Sequence, residues 1–170
     1  MKFKAIVSKF KDGLWAFHIK IPDKVYKKMS KEGVKRIICQ IDEYEPFHAG
    51  FMPEGNGKYF IMLSKAKLKA YDLFLGKDVN VKLEVDKTKY GMKMPEEFEE
   101  VLSSDSEGEK YFEELTDGKK RSLIHMVATI KSQDIKISKA LTILDHLKAN
   151  EGKVDYKLLN EAFKLSNRKY

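Results

Sequence analysis

Along the first ninety residues, apolar and polar side chains alternate in short runs. Trp15, Phe17, Ile19 and Ile21 interleave with Ala16, His18 and Lys20, and Val79, Val81, Leu83 and Val85 interleave with Asn80, Lys82, Glu84 and Asp86. A period of two sends one set to a buried face and the other to a solvated one, so both runs predict β-strands. Weaker alternation predicts further strands over residues 3–10, 36–41, 46–52 and 58–63. Asp12-Gly13 and Glu54-Gly55-Asn56-Gly57 supply turn chemistry suited to hairpins. Six strands in so short a stretch predict a small closed β-barrel.

The barrel region contains an internal repeat. A strand ending at Pro22, a short helix over 23–31, Gly33 and the strand 36–41 are echoed by a strand ending at Ser64, a helix over 65–74, Gly76 and the strand 79–85. Pro22 and Ser64 stand where a helix starts, and Gly33 and Gly76 where one ends. Such a twofold strand-helix-strand order resembles the cradle-loop barrels, which include double-psi and AbrB-type swapped-hairpin folds. The alternative is two ordinary strand-helix-strand units that share nothing but their order.

After Tyr90-Gly91 the period lengthens to that of a helix. Met94-Pro95-Glu96-Glu97-Phe98 opens one with proline in the first turn and acids near the positive end of the dipole. Further helices are predicted over 106–115, after Thr116-Asp117-Gly118, over 134–150 and over 155–165. Apolar stripes such as Leu123, Ile124, Val127 and Ile130, or Ile137, Ala140, Leu141, Leu144 and Leu147, belong to packing. The expected fold class is therefore α+β, with a β-barrel domain at 1–90 and an α-helical region at 91–170.

Charge sharpens this division. Residues 1–90 hold 19 Lys+Arg against 11 Asp+Glu, a net of +8, whereas residues 91–170 hold 14 against 15, a net of −1. A basic first half favours an anionic partner such as nucleic acid or a phosphate-bearing ligand; scattered lysines that keep a small barrel soluble are the plain alternative. With 42% hydrophobic residues the chain is too apolar for disorder. The start, Met1-Lys2-Phe3-Lys4-Ala5-Ile6-Val7, lacks the apolar run of a signal peptide, and no stretch approaches the roughly eighteen apolar residues of a membrane span. The expectation is a cytoplasmic protein without a membrane partner.

Several residues in order resemble a bacterial family of barrel domains of unknown function that commonly precedes the YdeI/OmpD-associated helical module. In the barrel these are Phe3-Lys-Ala5, Gly13-Leu-Trp15, Ile21-Pro22, Gly33-Val-Lys-Arg36, Phe47-His48, Gly55-Asn-Gly57-Lys-Tyr59 and Gly76-Lys-Asp78-Val79. In the helical part they are Met94-Pro95-Glu-Glu-Phe98, Phe112, Leu115, Arg121 and Lys131. The resemblance covers the chain to about residue 150 and implies mainly the fold; it transfers no catalytic residue. The chain departs from the module in carrying Lys136 and Lys139 where arginines are usual and His125 where an aromatic is usual. Lysine cannot replace the bidentate fork of arginine.

Catalytic and metal chemistry find little foothold. His18, His48, His125 and His146 match no zinc-ligand spacing, and no Gly-x-Ser-x-Gly elbow is present. Cys39, the single cysteine, alternates with Ile37 and Ile41 on an apolar face and reads as core. Gly55-Asn56-Gly57-Lys58 reads as a hairpin turn before a phosphate cradle, since no helix follows it. Asp78, Glu84 and Asp86 read as a solvated outer face. No catalytic residue, metal or cofactor is assigned.

The candidate ligand-binding residues are Trp15, Arg36, Phe47, His48 and Arg121. Tryptophan and arginine are natural binding anchors, and Phe47-His48 falls in an irregular run between strands. Their plain alternative is core packing for Trp15 and Phe47 and ion pairs for the two arginines. The leading expectation is a non-enzymatic binding module whose basic barrel engages an anionic partner, possible nucleic acid included. A small-molecule-binding or enzymatic pocket at the barrel mouth or the barrel-helix junction is the second, and a homodimer the third.

Overall fold

The computed structural model describes residues 1–11, 17–31 and 33–166. The chain divides into two compact units, Met1–Lys87 and Thr88–Tyr170. The Asp12-Gly13 turn and Trp15 lie outside the described residues.

The first unit is one seven-stranded antiparallel sheet. Its strands are β1 (Lys2–Lys9), β2 (Phe17–Ile21), β3 (Arg36–Ile41), β4 (Phe47–Gly50), β5 (Met52–Gly55), β6 (Lys58–Met62) and β7 (Asp78–Val85), in the order β4-β3-β7-β1-β2-β6-β5. Alternation dictates the faces. Ile19, Ile37, Cys39, Ile41, Ile61 and Leu83 have no exposed surface, while Lys20, Ile38 and Gln40 between them do. Each such fully buried aliphatic side chain contributes about 1.5–3 kcal/mol of burial energy. Two helices cover the sheet's apolar side: α1 (Asp23–Lys31), anchored by buried Val25 and Met29, and α2 (Lys65–Ala70), followed by buried Leu73.

Two expectations need correction here. The described residues form seven strands, because Met52–Gly55, which reads partly as turn, pairs with β6 across the Gly55-Asn56-Gly57 hairpin. Pro53, which has no N–H to donate, fits this strand because the strand is an edge. The barrel is open: the sheet curls into a half-barrel whose edges, β4 and β5, follow one another in the chain with Phe51 alone between them. One linking residue leaves two strands end to end, whereas an antiparallel pair needs a reversing turn, so no ladder closes the curl.

The repeat has a structural counterpart. β2-α1-β3 and β6-α2-β7 pair like with like: β2 runs antiparallel to β6 and β3 antiparallel to β7. Ser64 caps α2 by accepting the Lys67 N–H, and Gly33 and Gly76 end the helical segments with φ of 70° and 85°. Such left-handed angles suit residues without a Cβ.

The second unit is helical: α3 (Glu96–Ser104), α4 (Ser106–Glu114), α5 (Asp117–Ala128), α6 (Gln133–Ala149) and α7 (Tyr156–Ser166). α6 is the hub against which α3, α4, α5 and α7 pack. Its buried Ala140, Ile143, Leu144 and Leu147 meet Phe98, Phe112, Leu123 and Leu159 in a separate apolar core. None of the helices among the described residues is long and apolar enough to cross a membrane.

Candidate anion-binding surfaces

Strand register decides which candidate residues share a surface. In the β3–β4 ladder, Cys39 stands opposite Phe47, Ile38 opposite His48, and Arg36 opposite Gly50. Cross-strand partners face the same way, so Phe47 points into the core with Cys39 while His48 and Arg36 share the outer face. Phe47 is 8% exposed, and the Lys67 ammonium lies over its ring at 4.4 Å. Arg36 and His48 are half-buried. Arg121 is half-buried on α5 of the second unit; Trp15 lies outside the described residues.

The outer face adds a residue that sequence reasoning misplaced. Asp86, expected to be solvated, has a side chain with no exposed surface, and its Oδ2 accepts a 2.8 Å hydrogen bond from His48 Nδ1. The carboxylate and the imidazole reach toward each other over β3, whose Arg36 carbonyl takes the Asp86 N–H. The Arg36 guanidinium lies against Gly50. Its Nη1 comes within 3.0 Å of where a side chain on Gly50 would begin, so the bare glycine makes room for it.

The other histidines occupy different settings. His18 sits on the outward side of β2 yet is 1% exposed, its ring stacked on Phe10 at 3.8 Å and edge-on to Phe60. His146 is buried between α6 and the start of α7, where its Nε2 accepts the Asp155 N–H at 3.1 Å. His125 is exposed on α5. Among the described residues no group of three or more His, Cys, Asp or Glu is placed to hold a metal ion. Burial raises the Cys39 thiol to about 12, with Lys67 opposing weakly, which leaves it protonated and unreactive.

The strongest positive feature is α1. Lys24, Lys27, Lys28 and Lys31 recur at three- and four-residue spacing and are all exposed, opposite the buried Val25 and Met29. Among the described residues none of the four forms an ion pair. Lys28 also lines a cleft of about 510 Å³ with Met1, Met29, Leu83, Glu84, Val85 and Lys87. The cleft of about 440 Å³ on the outer face likewise mixes both signs, Lys2, Lys4 and Lys82 with Asp42 and Glu43, and Lys82 is bonded to Glu84 at 2.6 Å.

Residues 3–83 match a family model described as a domain of unknown function, DUF1905, and residues 91–150 match one described as bacteriocin-protection, YdeI or OmpD-associated, OmdA. The chain carries a DUF1905 domain followed by an OmdA-type domain. No curated protein matches the sequence. The DUF1905 match spans β1 to β7 and so includes the α1 lysines, Arg36 and His48; it ends just before Asp86. The OmdA match spans α3 to α6 and stops short of α7.

Proposed function

We propose that the DUF1905 domain is a non-enzymatic binding module that takes an anionic partner on α1, with nucleic acid the class to test first. The observation that carries this reading is the row of four exposed lysines along about 10 Å of one helix face. The unit containing it, Met1–Lys87, holds 18 Lys+Arg against 11 Asp+Glu, while the rest of the chain is balanced at 15 against 15. Such a stripe is an electrostatic footprint for phosphates. The pairing of β2 with β6 and β3 with β7 supports the likeness to cradle-loop barrels of the AbrB type, which is why nucleic acid comes first.

The test is fluorescence anisotropy of labelled single- and double-stranded DNA between about 50 and 200 mM salt. Affinity is expected to fall with a log-log slope near −0.9 per neutralised phosphate, and changing all four lysines to glutamine should flatten that slope by up to about 3.6. Absence of binding at low salt, or binding indifferent to salt, would overturn the reading. The small-molecule or enzymatic alternative draws no support from five of the best-formed clefts, none of which is lined by Arg36, Phe47, His48 or Arg121. A homodimer is a separate proposal that light scattering after size exclusion decides.

A further inference from the structure

The inner face of β7 stays apolar to its end, but its cover stops short. Val79, Val81 and Leu83 are buried, whereas Val85, next on the same face, is 39% exposed. Met1 reaches the same spot. The Leu83 N–H donates to the Met1 carbonyl at 2.7 Å, and cross-strand partners face the same way, so the Met1 side chain also lies on the inner face, 38% exposed. Together with Met29 from the last turn of α1, these residues floor the cleft of about 510 Å³ that Lys28 lines.

The rim of this cleft is mainly cationic. Lys28 comes from α1 and Lys87 from just past β7; both are exposed, and among the described residues neither forms an ion pair. Glu84, the one acid at the rim, belongs to the other face of β7 and is engaged by Lys82 at 2.6 Å. An apolar floor with cations at its edge suits a flat apolar group that carries its negative charge beside it. Methionine contributes favourable sulfur contacts to aromatic rings and adapts to rings of different outline. Lys28 is also one of the four α1 lysines, so the cleft continues the basic row. A strand whose phosphates follow that row brings a base to the floor at Lys28. The faces of duplex bases are closed off by stacking, whereas those of a single strand are open to a protein surface.

We propose that this cleft is a subsite for one unstacked base of a single-stranded nucleic acid, with the base on Met1, Met29 and Val85 and the adjoining phosphate between Lys28 and Lys87. This deepens the reading of the DUF1905 domain as an anion-binding module and rests on it for the phosphate contacts. The base contact is tested separately from them.

The experiment compares two labelled probes on the full chain by fluorescence anisotropy at fixed salt: a short homothymidine oligomer and an abasic oligomer with the same number of phosphates. Homothymidine is expected to bind at least about fivefold tighter, the lower end of what one base contact contributes. The salt slopes of the two should match, because their phosphates do. Val85→Gln, which makes the floor polar without adding charge, should remove most of the advantage of homothymidine and leave the affinity for the abasic oligomer and for duplex unchanged. A second readout needs no change to the floor. In protein labelled at the methionine methyls, the Met29 signal, assigned through Met29→Leu, should move on addition of homothymidine and stay in place with the abasic oligomer. An abasic oligomer that binds as tightly as homothymidine, an advantage that survives Val85→Gln, or a Met29 methyl indifferent to homothymidine overturns the base subsite and leaves the α1 lysine reading standing. Binding of neither oligomer at low salt overturns both.

Discussion

Gly108 of α4 lies so close against Leu144 of α6 that a Cβ at position 108 would stand 2.9 Å from both Cβ and Cδ1 of Leu144. Leu144 Cβ is tied to its own helix backbone and cannot swing aside, so a methyl group forces α4 and α6 apart. Alanine gains about 1 kcal/mol over glycine in helix propensity, but overpacking costs about 1–3 kcal/mol. Gly108→Ala is expected to be net destabilising, and Gly108→Val more so. Urea unfolding monitored on the second unit should show a lowered midpoint at unchanged slope; an unchanged midpoint would contradict the close approach.

Glu113 ties the start of the second unit to α4 and α5. Burial pushes its carboxyl up, yet hydrogen bonds from Lys120, Lys89 and Tyr90 outweigh this and hold it at about 2. Lys120, with 13% of its side chain exposed, matters more than Lys89 at 65%, whose charge water screens. A lowered carboxylate contributes stability above its unfolded value, about 4.3, and loses it as pH falls toward 2. Glu113→Gln is expected to flatten the acid limb of stability over that window, read by thermal unfolding from neutral pH downward. Parallel wild-type and variant curves would remove the assignment.

His146 works in the opposite direction. Burial lowers its pKa, with Asp155 opposing, and its Nε2 is occupied as an acceptor of the Asp155 N–H. The folded chain therefore resists a proton that the unfolded chain accepts near 6.5. Stability should fall as pH drops below that value, until the folded group itself protonates. In His146→Gln this part of the pH dependence should vanish, measured as the difference in denaturation midpoint between about pH 7.5 and pH 5.

Cys39 has no exposed surface, and its thiol is pushed to about 12 by burial. A thiol-specific reagent at mildly alkaline pH should leave it unlabelled in the folded protein and label it fully in denaturant. Labelling of the native chain at the rate of a free thiol would reopen nucleophilic chemistry at this position.

The period of the sequence reached most of the elements. Strand β3 occupies the predicted residues, helices α4, α6 and α7 begin and end within one residue of their predicted bounds, α3 and α5 begin at the predicted openings, and Ser64, Gly33 and Gly76 take their capping and terminating roles. These features depend on neighbours three or four positions away, so the local chain carries them. The strand Met52–Gly55 was less legible, because its glutamate, glycine and proline read as turn and its strand character comes from the ladder with β6.

The candidate surface divides in the same way. Composition and helical spacing by themselves determined that the first half is basic and that the α1 lysines fall on one face, since charge counts and a 3.6-residue period need no partner strands. The burial of Asp86 was decided by tertiary structure alone. Alternation marks it as outward-facing, and it is outward-facing, but whether an outward carboxylate meets water or an imidazole depends on which residue 38 positions away is brought over β3. The same holds for the open curl of the sheet and for the contact of Gly108 with Leu144. Register and packing between distant segments set these, and a one-dimensional pattern contains the faces of each element without the identity of what will cover them.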